Sequence, residues 1–293
     1  MRRLPRQRAG RGQREVSPVK SEKKIEAEQM EKQEILERIH QADRVLVGLG
    51  EDFDNRERLR QEDMWKHGRD LLKKANVHWM LPAWNEYCSA RLGEDVVTPA
   101  LERLFELLEG KDCFLVSVST NIAVRRLSEG RLPFVMPCGG TWLKQCFEGC
   151  EGELYPVTLE DAANLNVFLE KLYQGETASV GDVPSLGRCS QCGSSMVLNN
   201  IYGEHYNEKG YLDEWGKYTR WLQGTLNRSL FVLELGVRME FPSVIRWPFE
   251  RIVRYNQKAF LCRVSEDLYQ LPEDLSTNGA GILKNTIDWL REL

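Results

Sequence analysis

Two close pairs of cysteines, far apart in the chain, constrain this sequence most: Cys146 and Cys150 in C-F-E-G-C, then Cys189 and Cys192 in C-S-Q-C-G. Two short-spaced pairs on separate turns are how a tetrahedral zinc site is assembled, and four thiolates leave no coordination position open, so such a metal is structural. The alternative is four independent buried thiols. The 38 residues between the pairs are more than a plain knuckle needs, so the module carries an insertion. Cys88, Cys113 and Cys262 fall in apolar stretches and read as core thiols. Eight cysteines in 293 residues suit metal binding and reduced thiols in a cytoplasmic protein better than a disulfide scaffold.

Charge is unevenly distributed. Residues 1–24 hold nine Arg or Lys against Glu15 and Glu22, so the chain's net −4 leaves about −11 for the rest. That balance argues against nucleic-acid binding by the folded body. The tail reads as a disordered basic extension, with contact to RNA or anionic lipid as the alternative reading. Met30, just before a helical pattern, is an alternative start. No apolar run approaches the roughly 20 residues that cross a bilayer, and no apolar h-region marks a secretory signal, so no membrane partner is expected.

Beyond the tail, residues 25–293 read as one α/β domain. Apolar spacing predicts a helix from Ile25 to about Ala42 and an amphipathic helix over 56–75. Large side chains from Val77 to Leu92 predict a second helix, paired with the first beside the sheet. A helix is expected to start at Pro99, in the first helical position that proline favours, and run through Leu108. Thr158-Leu-Glu-Asp161 resembles a capping box opening a helix to about Tyr173. Further helices are expected over Trp215–Leu226 and Gly281–Leu290, with a Gly/Pro/Ser loop over 175–188. Buried strands are expected at Val45–Val47, Cys113–Val118, Phe134–Met136, Leu230–Leu235 and Ala259–Val264. Strands alternating with helices imply a parallel sheet with right-handed crossovers.

Three turns at the C-terminal ends of these strands carry candidate chemistry, because ligands of open α/β sheets bind at that edge. Gly48-Leu49-Gly50 lets a backbone approach a pyrophosphate, although Glu51, Asp52 and Asp54 bring negative charge beside it. In Ser119-Thr120-Asn121 the asparagine can hold a ribose hydroxyl or a water, or cap a helix. Gly236 follows the fourth strand, within which Glu234 needs a partner, offered by Arg238 or Arg246.

Together these pieces resemble the sirtuin family of NAD-dependent protein deacylases and ADP-ribosyltransferases, over roughly residues 30–290. The G-A-G-x-S loop of sirtuins is matched by V-L-V-G-L-G-E, and T-Q-N-I-D by S-T-N-I-A ending at Ala123. The H-G pair eight residues before the first zinc cysteine is matched by Cys138-Gly139, F-G-E by Tyr202-Gly203-Glu204, and G-T-S by Gly236-Val237-Arg238. A closer likeness is to a bacterial branch that includes the macrodomain-linked sirtuins. It lies in Gln145-Cys146, in L-E-L-G-V-R-M-E-F-P over 233–242, and in Arg246-Trp247-Pro248-Phe249-Glu250.

The resemblance implies a Rossmann-like parallel sheet flanked by helices, with a small zinc-binding module at about 140–205 and a helical insertion. It implies NAD or ADP-ribose as ligand, structural zinc, and a protein acceptor as partner. It places catalytic roles at Asn121 and Cys138, and cofactor contacts at Gly48, Gly50, Glu51, Thr120, Asn121, Gly236, Arg238 and Ser265. Three departures bear on activity. The family's His is Cys138, whose thiol is mostly protonated at neutral pH and a poor base; its Asp is Ala123; and Arg238 stands where the family has a small residue. These leave three readings: an NAD-consuming transferase that ADP-ribosylates in preference to deacylating, an NAD- or ADP-ribose-binding protein without turnover, and a zinc-stabilised interaction module.

Overall fold

The computed structural model describes residues 32–150, 152–176 and 182–293. The basic tail, residues 25–31 of the first expected helix and part of the 175–188 loop lie outside the described residues. The chain divides between residues 40 and 41 into two units. Residues 32–41 are helical (α1). There follow β1 (Arg44–Leu49), α2 (Arg56–Leu59), α3 (Asp63–Lys74), α4 (Leu81–Ser89), α5 (Val97–Leu107), β2 (Asp112–Ser117), α6 (Ile122–Ser128), β3 (Phe134–Val135) and β4 (Gly139–Cys146). Next come β5 (Tyr155–Pro156), α7 (Leu159–Tyr173), β6 (Met196–Asn200), α8 (Leu212–Gln223), β7 (Leu230–Leu235), α9 (Arg246–Tyr255), β8 (Ala259–Val264), β9 (Gly279–Ile282) and α10 (Thr286–Arg291).

Six strands form a parallel sheet in the order β3-β2-β1-β7-β8-β9. The chain steps outward from β1 to β3, then returns to the other side of β1 and steps outward to β9. The order therefore reverses between β1 and β7, and the crevice at the C-terminal ends of those two strands is the switch point where such sheets bind ligands. β1 and β7 are buried along nearly their whole length, as parallel strands covered on both faces must be. Leu46, Phe114, Val232, Phe249 and Leu261 are part of one apolar cluster built on this sheet.

A second, antiparallel sheet has the order β5-β4-β6. Its apolar cluster joins Trp65 and Leu72 of α3, Trp84 of α4, Phe168 and Leu169 of α7, Leu198 of β6, and the cysteines Cys146 and Cys189. The helical pair α3–α4 thus packs on the cysteine lobe, not beside the large sheet as the sequence suggested: its aromatic face matches the apolar stripe of α7. Trp84 Nε1 donates to the Trp65 carbonyl at 3.0 Å and Trp65 Nε1 to Asn85 at 2.8 Å, so both indoles keep a polar partner.

Several boundaries move. The pattern over 56–75 is two helices, α2 and α3. Helix α5 begins two residues before Pro99, where Asp95 accepts from the N–H groups of Val97 and Thr98 at 3.1 and 3.0 Å. Pro99 still falls in the first turn, where its missing N–H has no helical partner. The last expected helix divides into strand β9 and the shorter α10, capped by Asn285. Thr158 and Asp161 form the capping box of α7. No helix among the described residues is long and apolar enough to cross a membrane.

Candidate functional site

The four cysteines converge. One sulfur from each of Cys146, Cys150, Cys189 and Cys192 lies within 4.8 Å of the others, close to the spacing of about 3.8 Å that zinc–sulfur bonds of about 2.3 Å impose on a tetrahedron. Cys146 ends β4; Cys189 and Cys192 sit on the turn before β6, closed by Gly193 N–H donating to the Cys189 carbonyl at 2.9 Å. N–H groups of Cys192 and Gln191 donate toward the Cys189 sulfur and hold that thiol down to about 6, so it presents a thiolate readily. All four are cysteine sulfurs, each able to bind a metal as thiolate, and no other donor joins them among the described residues, which fits a closed structural zinc site.

The switch-point crevice is narrower than the glycine turn suggested. A Cβ on Gly50 would lie 2.0 Å from the Gly236 carbonyl oxygen, and one on Gly236 (φ +61°) 2.5 Å from Asp52 Cβ. These glycines let the turns after β1 and β7 rest on each other. Gly48 lies inside β1 against Ile245 and Phe249, which accounts for it without a ligand. Glu51, Asp52 and Asp54 are all buried. Arg238 N–H donates to Glu51 Oε2 at 2.8 Å, and the Arg238 guanidinium joins Asp52 (2.8 Å) to Asp267 (2.9 Å). Asp54 accepts from Ser119 Oγ at 2.7 Å and from the N–H of Thr120 at 2.8 Å, with Arg56 at 3.2 Å. Arg56 also reaches Glu240 and Tyr202. Burial raises the Glu51, Asp52 and Asp54 carboxyls against the pull of these arginines and hydrogen bonds. Glu51 Oε1 is buried and has neither hydrogen bond nor ion pair among the described residues.

Asn121 stands at the C-terminal end of β2. Its Oδ1 accepts from Ala123 N–H at 2.9 Å, capping α6, and its Nδ2 donates to the Phe53 carbonyl at 2.9 Å. It lines a cleft of 590 Å³ together with Asn55, Glu86, Ile122, Ala123 and Arg126. Glu86, on α4, had no signal in the sequence. It accepts from Ile122 N–H at 2.9 Å and from Thr141 Oγ at 3.1 Å, and burial pushes its carboxyl up to about 7. Cys138 is buried among the apolar residues of the large sheet. Burial and the nearby carboxylates Asp54, Glu51 and Glu240 push its thiol well above the ordinary cysteine range, so it is protonated at neutral pH. Ser265 is buried, with its hydroxyl accepting from Leu268 N–H at 3.1 Å in a turn.

The structure therefore gathers Gly50, Glu51, Gly236 and Arg238 at the crevice, links Thr120 and Asn121 to it through Asp54 and Phe53, and leaves Gly48 within its strand. Glu234 is paired by Arg246 (2.9 Å) as expected; its second partner is Arg263 (2.8 Å), and Arg238 serves Asp52 instead.

Set against solved structures, this architecture has close counterparts. A Sir2 in complex with an inhibitor, 2′-O-acetyl-ADP-ribose and a deacetylated peptide superposes with a TM-score of 0.51, covering 89% of this chain and 96% of that one at 14% identity. The chain folds as a sirtuin. No family model matches its sequence. A protein ADP-ribosyltransferase from Staphylococcus aureus is 20% identical over 256 residues, 81% of this chain and 78% of that protein. A probable bifunctional ADP-ribose hydrolase/ADP-ribosyltransferase from Fusarium oxysporum f. sp. cubense is 28% identical over 131 residues. That match spans 44% of this chain and 21% of the fungal protein's length. Within this fold, the cysteine lobe and the crevice beside Asn121 both carry the donor chemistry of a site.

Proposed function

We propose that this chain is a divergent sirtuin that binds the ADP-ribosyl part of NAD at the β1–β7 crevice and transfers it to a protein in preference to removing acyl groups. The observation that carries this reading is Asn121, fixed by Phe53 and Ala123 at the sheet's C-terminal edge beside an open cleft. Asn121, whose Oδ1 keeps a second lone pair beyond its bond to Ala123 N–H, would accept from a ribose hydroxyl in the cleft, and the buried Glu51 Oε1 would be reached only where the turn after β1 opens. When bound, NAD supplies a glycosidic carbon that loses nicotinamide to a nucleophile. Deacylation asks more of the protein, because it needs a base beside the ribose, and the thiol at position 138 is buried and protonated. The names of the two curated relatives, both ADP-ribosyltransferases, agree with this preference.

A second reading, binding without turnover, is favoured by Arg238. Its guanidinium is held by Asp52 and Asp267, and it can meet a diphosphate only by leaving one of them. One experiment separates the two. The full chain is titrated with NAD and with ADP-ribose while its melting temperature is followed, and nicotinamide release is measured on addition of candidate acceptor proteins. Stabilisation by both ligands with nicotinamide release is the expected result. Stabilisation with NAD left intact supports binding alone, and no stabilisation by either ligand overturns both readings.

A further inference from the structure

A cavity of 490 Å³ opens between α2, α3, the start of α4 and the segments that follow β6 and β7. Arg56, Arg60, Arg69, Lys73 and His78 line it, and Glu240 is the one acid among its lining residues. This runs against the charge of residues 25–293, which is about −11 with the groove included. Arg56 is neutralised by Asp54 and Glu240. Arg69 lies over the Trp65 ring, 4.9 Å from its centroid, and its ion pair with Asp70 at 3.0 Å is half-exposed and weak. Arg60 and Lys73 are exposed and have no carboxylate partner among the described residues. Arg69 and Lys73, four residues apart, share one face of α3, and Arg60 precedes that helix. The cations Arg60, Arg69 and Lys73, of which only Arg69 has a carboxylate partner among the described residues, thus follow a line along one wall and do not converge on a point, a pattern that matches a row of carboxylates better than a single phosphate. The groove adjoins the crevice through Arg56, Tyr202 and Glu240.

We infer that this groove binds an acidic segment of a partner protein, whose carboxylates lie along Arg60, Arg69 and Lys73. Binding there does not require ADP-ribosyl transfer; where transfer occurs, the groove selects which protein is brought to it.

The test uses the full chain and a fluorescein-labelled peptide of ten glutamates, with anisotropy read at low and high salt and a Gly/Ser peptide of equal length as reference. The expected result is salt-sensitive binding of the glutamate peptide that weakens at least about tenfold in the exposed double variant Arg60→Glu/Lys73→Glu. A thermal melt equal to that of the unmodified chain shows that the variant remains folded. Undiminished binding in the double variant places the contact elsewhere, for example on basic residues 1–24, and overturns the inference. Displacement by inorganic phosphate at concentrations matching the peptide identifies a phosphate site and overturns it equally. The NAD readout plays no part in these outcomes, so this inference and the proposed function fail separately.

Discussion

Glu234 and Glu250 with Arg246 and Arg263 form one buried ion network; Glu51, Asp52 and Asp54 with Arg56 and Arg238 form another. The first is balanced and enclosed. Arg263 meets Glu234 and Glu250, both at 2.8 Å, and Arg246 meets Glu234 at 2.9 Å. Arg263 Nη1 also reaches the Gln270 carbonyl (2.7 Å), and Arg246 Nη2, the nitrogen that meets Glu234, also reaches the carbonyls of Val237 (2.7 Å) and Leu268 (3.1 Å); Arg246 Nε is buried without a hydrogen bond among the described residues. Glu234 Oε1 lacks a well-aligned hydrogen bond yet lies against two guanidinium nitrogens. This network ties α9 to β7 and β8. The second has three acids for two arginines, and both arginines also reach outward, to the exposed acids Asp267 and Glu240. Its Glu51 Oε1 has neither hydrogen bond nor ion pair among the described residues. A charge-balanced buried network serves the fold; an acid excess with an orphan acceptor at the switch point is a deficit that a ligand's hydroxyl donors would fill.

The largest effect expected of any change lies outside both networks and calibrates them. Removing zinc with a chelator, or substituting Cys189→Ser, should dismantle the cysteine lobe, because metal-binding energy in such modules is folding energy of about 10 kcal/mol or more. Zinc content, near-UV circular dichroism and melting temperature should fall together; a metal-free, fully folded chain would refute the zinc assignment. Within the enclosed network, Arg263→Met should cost about 3–5 kcal/mol in denaturant unfolding, since buried Glu234 is left with Arg246 alone and Glu250 with the exposed Arg254 at 3.6 Å. A cost below about 1 kcal/mol would mean that the two networks do not differ as described.

How far the sequence reveals this molecule depends on how local each feature is. Strands β1, β2, β7 and β8 are buried on both faces and therefore read as largely apolar runs, interrupted in β7 by Glu234 and in β8 by Arg263, and the convergence of the two cysteine pairs reads from spacing alone. Strand β9 reads as part of a helix because G-A-G-I, an edge segment, has neither an apolar run nor alternation. Strands β4 and β6 carry weak sequence signals: β4 is only partly buried, with a register shift between Gly139 and Lys144, and β6, though buried throughout, is five residues long and ends in Asn199-Asn200. The site was legible as to place and less so as to content. That Asn121 ends a strand follows from order along the chain. That Arg238 holds Asp52, that Arg263 meets Glu234, and that Glu86 reaches Ile122 N–H depend on residues far apart in sequence, about which spacing is silent.

Arg238→Ala sharpens the contrast at the crevice. It removes the partner of Asp52, yet Arg238 is itself half-buried and leans on exposed Asp267. The expected cost is therefore smaller than for Arg263→Met, about 1–3 kcal/mol. If the crevice takes ADP-ribose, the same variant should alter the ligand-induced rise in melting temperature, whereas Arg263→Met should leave that increment unchanged at matched stability. Equal costs and an unchanged increment would make the second network as structural as the first.

The smallest effect concerns Glu86, which stands near the second network with no arginine in ion-pair contact. The groups facing it are Asp54, which raises its pKa, and Arg126, which lowers it; burial dominates both. With a folded value of about 7 against an ordinary 4.5, the folded chain holds this proton where the unfolded chain has lost it. Its contribution to stability is therefore complete below pH 4.5 and lost as pH rises through about 7. Glu86→Gln keeps an acceptor for Ile122 N–H and Thr141 Oγ but cannot ionise. The variant should match the unmodified chain at acidic pH and exceed it by about 1–3 kcal/mol at pH 8, the discounted worth of the shift. Unfolding free energies measured from pH 5 to 8 give the slope directly. If the difference between the two proteins does not change with pH, Glu86 is ionised throughout, and the cleft beside Asn121 is wetter than its hydrogen bonds imply.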